Sequence, residues 1–276
     1  MKAARVWMAL IGVMALAALS CTTVPVTGRP QLNLIPADTM LSMSYQQYSQ
    51  FVKSNKLSTD QAKTRQVKET GQRIRQAVER YFDDHGMADK KQDYDWEFNL
   101  VESTDVNAWC MPGGKVVFYS GILPYTQNED GMAVVMGHEI GHAVAGHGNE
   151  RMSQMLAVQL GGLALSVALS QKPGETQGLF MAAFGLGAQV GLLLPFSRLH
   201  EYEADRLGLT FMAMAGYDPR EAVTFWERMA KQGKGKKPPE FMSTHPSDEN
   251  RIANIRRLIP EVMPYYIRAK RSGTAS

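Results

Sequence analysis

The segment Met136–Glu150, MGHEIGHAVAGHGNE, places three of the chain's six histidines within ten residues. Two of them frame His138-Glu139-Ile140-Gly141-His142, an HExxH pattern. On a helix, positions i and i+4 differ by about 40° in azimuth, so both imidazoles leave one face, one turn apart. That spacing suits two ligands of a zinc ion, which in catalytic sites takes three protein ligands and keeps a further position for water. Glu139 stands about 100° round from His138, close enough to act as general base when that water attacks a carbonyl carbon. Two surface histidines on a polar helix are the plain alternative. The flanks Ala133, Val134, Val135, Met136, Ile140, Ala143, Val144 and Ala145 argue against it, because they belong to a buried helix. Two histidines and a glutamate buried together need a reason, and a metal supplies one.

The third ligand is not adjacent. In the extended pattern that ends on a third histidine, Gly follows the second His by three residues and His by six. Here those positions are Ala145 and Gly148. His147 lies about 140° round from His142 and points elsewhere, a bystander at the helix end. The next acidic cluster is in SRLHEYEADRLG, residues 197–208. Glu201 and Asp205 are i, i+4 and share a face with Ala204, Gly208 and Met212, a small-residue face suited to close helix packing. We therefore assign Glu201 as third zinc ligand. Asp205 then holds the free N–H of a ligand histidine or takes part in proton transfer. Glu203 falls on another face, with Arg206, Leu207 and Thr210, and is expected to be partly exposed. Gly141 and Gly208 would let the two helices approach closely.

The elements that must position these groups are legible from periodicity. From about 37 to 82, apolar positions recur at helical spacing and predict two helices. DWEFNLVES (95–103), NAWC (107–110) and KVVFYSGIL (115–123) alternate as strands, with MPGG as turn chemistry, and predict a small antiparallel sheet. Asn128-Glu129-Asp130 offers a cap and acidic charge before a helix over about 130–146. Two apolar segments follow, 155–170 and 178–196, separated by QKPGETQ. Interrupted by Gly and Gln, they predict an apolar helical hairpin over 155–196, packed on the domain or lying at a membrane surface. Further helices are expected from about 197 to 216, over 218–232 with Asp218 as cap and Pro219 in the first turn, and after THPSDE. The fold class is α+β, mostly helical, with one small sheet, and residues 38–276 form the candidate metal-binding domain.

Lys2 and Arg5 precede an apolar run, Val6–Leu19, too short to span a bilayer and right for a signal sequence. Ala18-Leu19-Ser20-Cys21 matches a lipoprotein cleavage site, which makes 1–20 a signal peptide, Cys21 the lipidated residue and 21–37 a Pro- and Thr-bearing tether. Thr22 after the cysteine favours an outer membrane. Cys110 is the other cysteine, so with Cys21 acylated no disulfide forms, and Cys110 is expected to be a small buried hydrophobe. The net charge is +3, and two of those charges lie in the signal segment. A near-neutral mature chain gives no footprint for nucleic acid. The cluster Lys231, Lys234, Lys236 and Lys237 sits among Gly and Pro as a solvated loop.

HExxH, an apolar insertion and SRLHEYEAD together resemble the gluzincin metallopeptidases of the CAAX prenyl protease and HtpX heat-shock protease type, including periplasmic quality-control members. VPVTGRPQLNLIP, VNAWCMPGGKVVFYSGIL and STHPSDENRI are similar to family segments in the same order, so the resemblance covers most of the mature chain. It implies a zincin-like domain and a Zn2+ cofactor. It also implies that Asn107 and Ala108 belong to an edge strand where substrate backbone adds, and that His245 approaches the cleft to stabilise the developing oxyanion. The chain stops at Ser276 without the helical-repeat extension of some periplasmic relatives, so no scaffold role on outer-membrane assembly machinery is expected. The function expected is a membrane-tethered zinc endopeptidase acting on unfolded or misassembled envelope proteins. A chaperone-like lipoprotein with structural zinc is the competing reading; it leaves Glu139 without a purpose.

Overall fold

The computed structural model describes residues 21–24, 27–170, 194–233, 239–245 and 249–272, with isolated positions 174, 178 and 181. The signal segment, most of the second apolar segment and Lys234, Lys236 and Lys237 lie outside these residues. The chain divides into two compact units, one formed by Met1–Met40 with Gly146–His200, the other by Leu41–Ala145 with Glu201–Ser276.

In the first unit, β1 (Cys21–Thr23) pairs antiparallel with β2 (Pro30–Leu32), so the expected tether carries a two-strand hairpin. It is fastened to the helix that begins at His147. Arg29 donates from both terminal nitrogens to the Glu150 carboxylate, at 2.8 and 2.7 Å. The Leu34 amide donates to Ser153 Oγ at 2.8 Å, and Asn149 donates to the Ile35 carbonyl at 2.7 Å.

The second unit contains α1 (Ala37–Ser54, which begins in the first unit), α2 (Gln61–Asp84), a three-stranded sheet and the helices of the site. Asp60 caps α2 by accepting from the Lys63 amide at 3.0 Å, and one stripe of the helix, Val67, Ile74, Val78 and Phe82 among others, is buried. The sheet has the order β3-β5-β4, with β3 (Glu97–Val101), β4 (Ala108–Met111) and β5 (Lys115–Tyr119). It is small, as expected. The β4–β5 pair is antiparallel and β3–β5 is parallel, so β5 lies in the centre and Val116, Val117 and Phe118 are fully buried. Among the described residues β4 has no partner on its other side.

The helix behind the sheet, α3 (Glu129–Ala145), packs on β4, β5 and α2. Asn128 Oδ1 accepts from the Gly131 amide at 2.8 Å, and Glu129 and Asp130 supply acidic charge in the first turn. Because α3 is apolar almost all round, only a position in the core satisfies it, and Gly131–Gly141 are buried without interruption. Gly146, at φ +72°, takes the left-handed conformation that ends this direction of chain. Immediately after it, α4 runs from His147 to Leu169, starting earlier than the apolar segment that marked it in the sequence. α5 (Leu194–Met214), α6 (Glu221–Gly233), a single helical turn at Glu240–Thr244 and α7 (Glu249–Arg271) complete the order. α6 starts three residues beyond Asp218, whose carboxylate accepts from the Arg220 amide at 2.9 Å.

Candidate metal centre

Close approach of α3 and α5 builds the site. A Cβ placed on Gly141 would sit 2.7 Å from the Ala204 carbonyl oxygen, and one on Gly208 would sit 2.7 Å from the backbone of Gly137 and His138. No other residue fits either position without displacing a helix. The two glycines anticipated for this purpose therefore serve it, and Gly137 joins them, its added Cβ lying 2.8 Å from the Gly208 oxygen.

Across this contact the ligand-type groups converge. His138 Nε2 lies 3.1 Å from His142 Nε2 and 3.3 Å from Glu201 Oε2, while His142 Nε2 lies 3.4 Å from Glu201 Oε1. His245 enters from the turn before α7. Its Nδ1 is 3.2 Å from His138 Nε2 and 3.1 Å from both Glu201 oxygens. All four donor groups lie within 4.8 Å of one another. Donors 2.0–2.1 Å from a common tetrahedral centre stand about 3.3 Å apart, so this set has the edge lengths that zinc requires. Buried Glu139 gives an independent sign: its Oε1 makes no hydrogen bond and lies 3.4 Å from His245 Nε2. A buried carboxylate oxygen without a hydrogen bond is costly unless something else at the site engages it. The chain's residues fit zinc.

Electrostatics follow from crowding three carboxylates into the interior. Burial pushes the Glu139 pKa above its ordinary value. Burial acts in the same sense on Glu201 and Asp205 but is outweighed: His138, His142 and His245 draw Glu201 well below the carboxylate range, and Arg251 with His138 lowers Asp205. For His138, burial and the Arg251 charge act downward, yet hydrogen bonds to Asp205 and Glu201 hold its pKa at about 9. Asp205 Oδ1 lies 3.0 Å from His138 Nδ1, the carboxylate–imidazole contact expected of it, which leaves Nε2 facing the centre.

The structure thus brings His138, Glu139, His142, Glu201, Asp205 and His245 together. Ala108 opens β4 and Asn107 stands just before it, with the Asn107 carbonyl accepting from the Tyr119 amide at 3.1 Å. His147 is outside the metal set; it is buried in the first unit and stacks on His200 with ring centroids 4.2 Å apart. Cys110 is half-buried on β4, and burial with the nearby Glu139 charge pushes its thiol pKa well up. Glu203 corrects an expectation: it is 5% exposed, because α5 is enclosed over most of its circumference and its offset from Glu201 does not reach solvent.

Two residues escaped the sequence reading. Arg251, 2% exposed, forks onto Asp205 with Nε and Nη2 at 2.8 Å each and reaches Glu201 Oε2 with Nη1 at 3.0 Å. Trp226 lies beneath its guanidinium at 3.6 Å. The signal for Arg251 was present: it stands in register with Ile255, Leu258 and Val262 on the buried stripe of α7, where a charge needs partners.

An HExxH helix behind a small sheet, answered by a carboxylate from a later helix, defines a metallopeptidase-type domain. Its family is equally plain: residues 68–259 match the model of peptidase family M48, and the chain belongs to that family. It is 41% identical over 177 residues to the mitochondrial metalloendopeptidase OMA1 of Schizosaccharomyces pombe, covering 64% of this chain and 49% of that protein. It is 29% identical over 248 residues to human metalloendopeptidase OMA1, covering 87% and 46%. It is 29% identical over 178 residues to the beta-barrel assembly-enhancing protease of Escherichia coli, covering 63% and 36%. The chain spans about half, or less, of the length of these curated relatives.

Proposed function

We propose that this chain is a zinc-dependent endopeptidase, tethered to a bacterial envelope membrane through lipid on Cys21, that cleaves unfolded or misassembled envelope proteins. The observation that carries the reading is the set His138, His142 and Glu201 at zinc-like separations beside a buried Glu139 oxygen that makes no hydrogen bond. Those three residues would hold the ion, which when bound supplies Lewis acidity towards water and the scissile carbonyl. Glu139 takes the proton of the attacking water as its oxygen bonds to the carbonyl carbon, then delivers a proton to the amide nitrogen as the C–N bond breaks. Asp205 keeps the His138 ring oriented through its Nδ1 proton. The free edge of β4 is suited to take a substrate backbone as an added strand, beginning at Asn107 and Ala108. An extended substrate must be locally unfolded to bind this way, which supports the substrate class. The name of one relative, the beta-barrel assembly-enhancing protease of Escherichia coli, supports a setting in which β-barrel proteins are assembled.

A latent state is favoured by one specific observation. His245 completes a four-donor set, whereas a catalytic zinc keeps a position open. We read His245 as a cap that must withdraw before substrate binds. His245→Ala separates this role from oxyanion stabilisation: faster cleavage marks a cap, slower cleavage at full zinc loading marks an oxyanion donor.

Membrane contact through α4 belongs to the same reading. Among the described residues it is the one helix long and apolar enough to cross a membrane, and Leu160, Leu163 and Val167 are 55–74% exposed. No charged residue occurs between Arg151 and Lys172. Carbonate extraction of a Cys21→Ser variant tests it, since full release into the soluble fraction rules out insertion of α4. For the enzyme itself the decisive variant is Glu139→Gln, expected to retain zinc and lose cleavage of an unfolded protein such as reduced casein. Cleavage at the parent rate overturns the mechanism.

A further inference from the structure

We propose that Arg251 is a positioning residue of the metal centre: its single guanidinium orients Glu201 and Asp205 together, and so fixes both the carboxylate ligand and the tautomer of His138. The proposal rests on the zinc reading above and goes beyond it, because Arg251 touches neither substrate nor metal.

Every direction of the guanidinium is used. Its Nε–Nη2 edge forks onto both oxygens of Asp205, which fixes its plane relative to that carboxylate. Stacking on Trp226 at 3.6 Å fixes the same plane from below. The remaining nitrogen, Nη1, then has one orientation available, and it meets Glu201 Oε2 at 3.0 Å and the His245 carbonyl at 3.3 Å. Glu201 Oε2 is thereby held 3.3 Å from His138 Nε2, while Oε1 lies 3.4 Å from His142 Nε2, so both oxygens keep their places among the ligand histidines. Asp205, held by the same group, keeps Oδ1 3.0 Å from His138 Nδ1, and Arg251 Nη2 itself lies 3.3 Å from that nitrogen. Glu201 and Asp205 are one turn apart on α5, so one planar cation from α7 registers two helices against each other.

Charge adds a second reason. Glu139, Glu201 and Asp205 are all buried, and among the described residues of the site Arg251 is the one permanent cation. Without it, three buried carboxylates would face one another with no permanent cation of the chain between them, which is costly in the interior. A lysine would supply the charge without the planar fork. The substitution Arg251→Lys therefore separates orientation from charge.

The test uses purified full chain as parent, Arg251→Lys and Arg251→Met, with Arg256→Lys as control, since Arg256 is an exposed arginine of the same helix that pairs with Glu227. Zinc affinity is measured by chelator competition, the cobalt-substituted protein by its visible d–d spectrum, and folding of the metal-free protein by circular dichroism. We expect Arg251→Lys to bind zinc roughly 10- to 100-fold more weakly, the range typical of lost outer contacts to ligands. We also expect an altered cobalt spectrum in folded protein and no change in the control. A folded Arg251→Lys with parental affinity and spectrum overturns the proposal and leaves Arg251 a structural ion pair. Should Arg251→Met fail to fold, Arg251→Lys alone decides. If the parent itself binds neither zinc nor cobalt, the zinc reading fails, and that outcome is distinct from a failure of the positioning role.

Discussion

Replacing Gly141 with alanine isolates the packing that assembles the metal centre. Alone, the change favours the helix, since alanine exceeds glycine by about 1 kcal/mol in a helix interior. In this position the new methyl would lie 2.7 Å from the Ala204 carbonyl oxygen, 3.2 Å from its Cα and 3.3 Å from Leu207 Cβ. The nearest of these is backbone and cannot rotate away, so α3 and α5 must separate by about half an ångström. Overpacking of this kind costs typically 1–3 kcal/mol. With the obstacle a rigid carbonyl we take the upper half of that range, which leaves a net loss of about 1–2 kcal/mol. Gly148, on α4, is the matched control: nothing lies within 4 Å of its added Cβ, and its φ is not positive. Gly148→Ala should therefore gain up to about 1 kcal/mol. Denaturant titration of the metal-free variants, followed by circular dichroism, reads both signs. The same displacement moves Glu201, three residues before Ala204, away from the histidines, so Gly141→Ala should also bind zinc more weakly than the parent while Gly148→Ala does not. A Gly141→Ala protein as stable as the parent, with parental zinc affinity, would refute the reasoning that close helix approach sets the site.

Removing the metal with a chelator should abolish peptidase activity and lower the thermal midpoint, with both restored by zinc; an unchanged midpoint would show that the four donors bind no ion in solution. Acid should weaken the hold of the first unit on its hairpin. Glu150 has its pKa lowered from 4.5 to about 2, because hydrogen bonds and charge from Arg29 and His200 outweigh burial. A depressed carboxylate pKa contributes stability that is present above about pH 4.5 and is lost as pH falls towards 2; a shift of this size corresponds to about 3 kcal/mol. Glu150→Gln should therefore be less stable than the parent at pH 7, with the gap narrowing between pH 4.5 and 2.5, and a gap constant with pH would rule out the linkage. Trp226→Leu removes the surface under the Arg251 guanidinium while leaving its carboxylate partners, and should weaken zinc binding by less than Arg251→Lys does.

Much of the site was legible because helical geometry links residues by spacing. The i, i+4 rule picks out His138 with His142 and Glu201 with Asp205, and two glycines on small-residue faces mark where the helices touch. Those inferences need only the period of a helix. Elimination turned the search for a third ligand to a later acidic residue, since Ala145 and Gly148 stand where the extended pattern has its Gly and its third His.

What stayed hidden depends on enclosure, which no single element specifies. Glu203 is offset from Glu201 on α5, but whether that offset reaches solvent is decided by what surrounds the helix. The parallel pairing of β3 with β5 is likewise a property of register between segments whose own alternation fits either direction. Arg251 is the instructive case. Its stripe position beside Ile255, Leu258 and Val262 marks it as a buried charge, and a buried guanidinium implies at least two acceptors. Three acids in EYEAD were available to provide them, yet the sequence assigned Glu201 a metal, Asp205 a histidine or a proton transfer and Glu203 the surface, and gave none of them a counter-charge. Asking which cation neutralises a buried acidic cluster leads from Glu201 and Asp205 to Arg251, because it alone among the arginines described in α7 is buried.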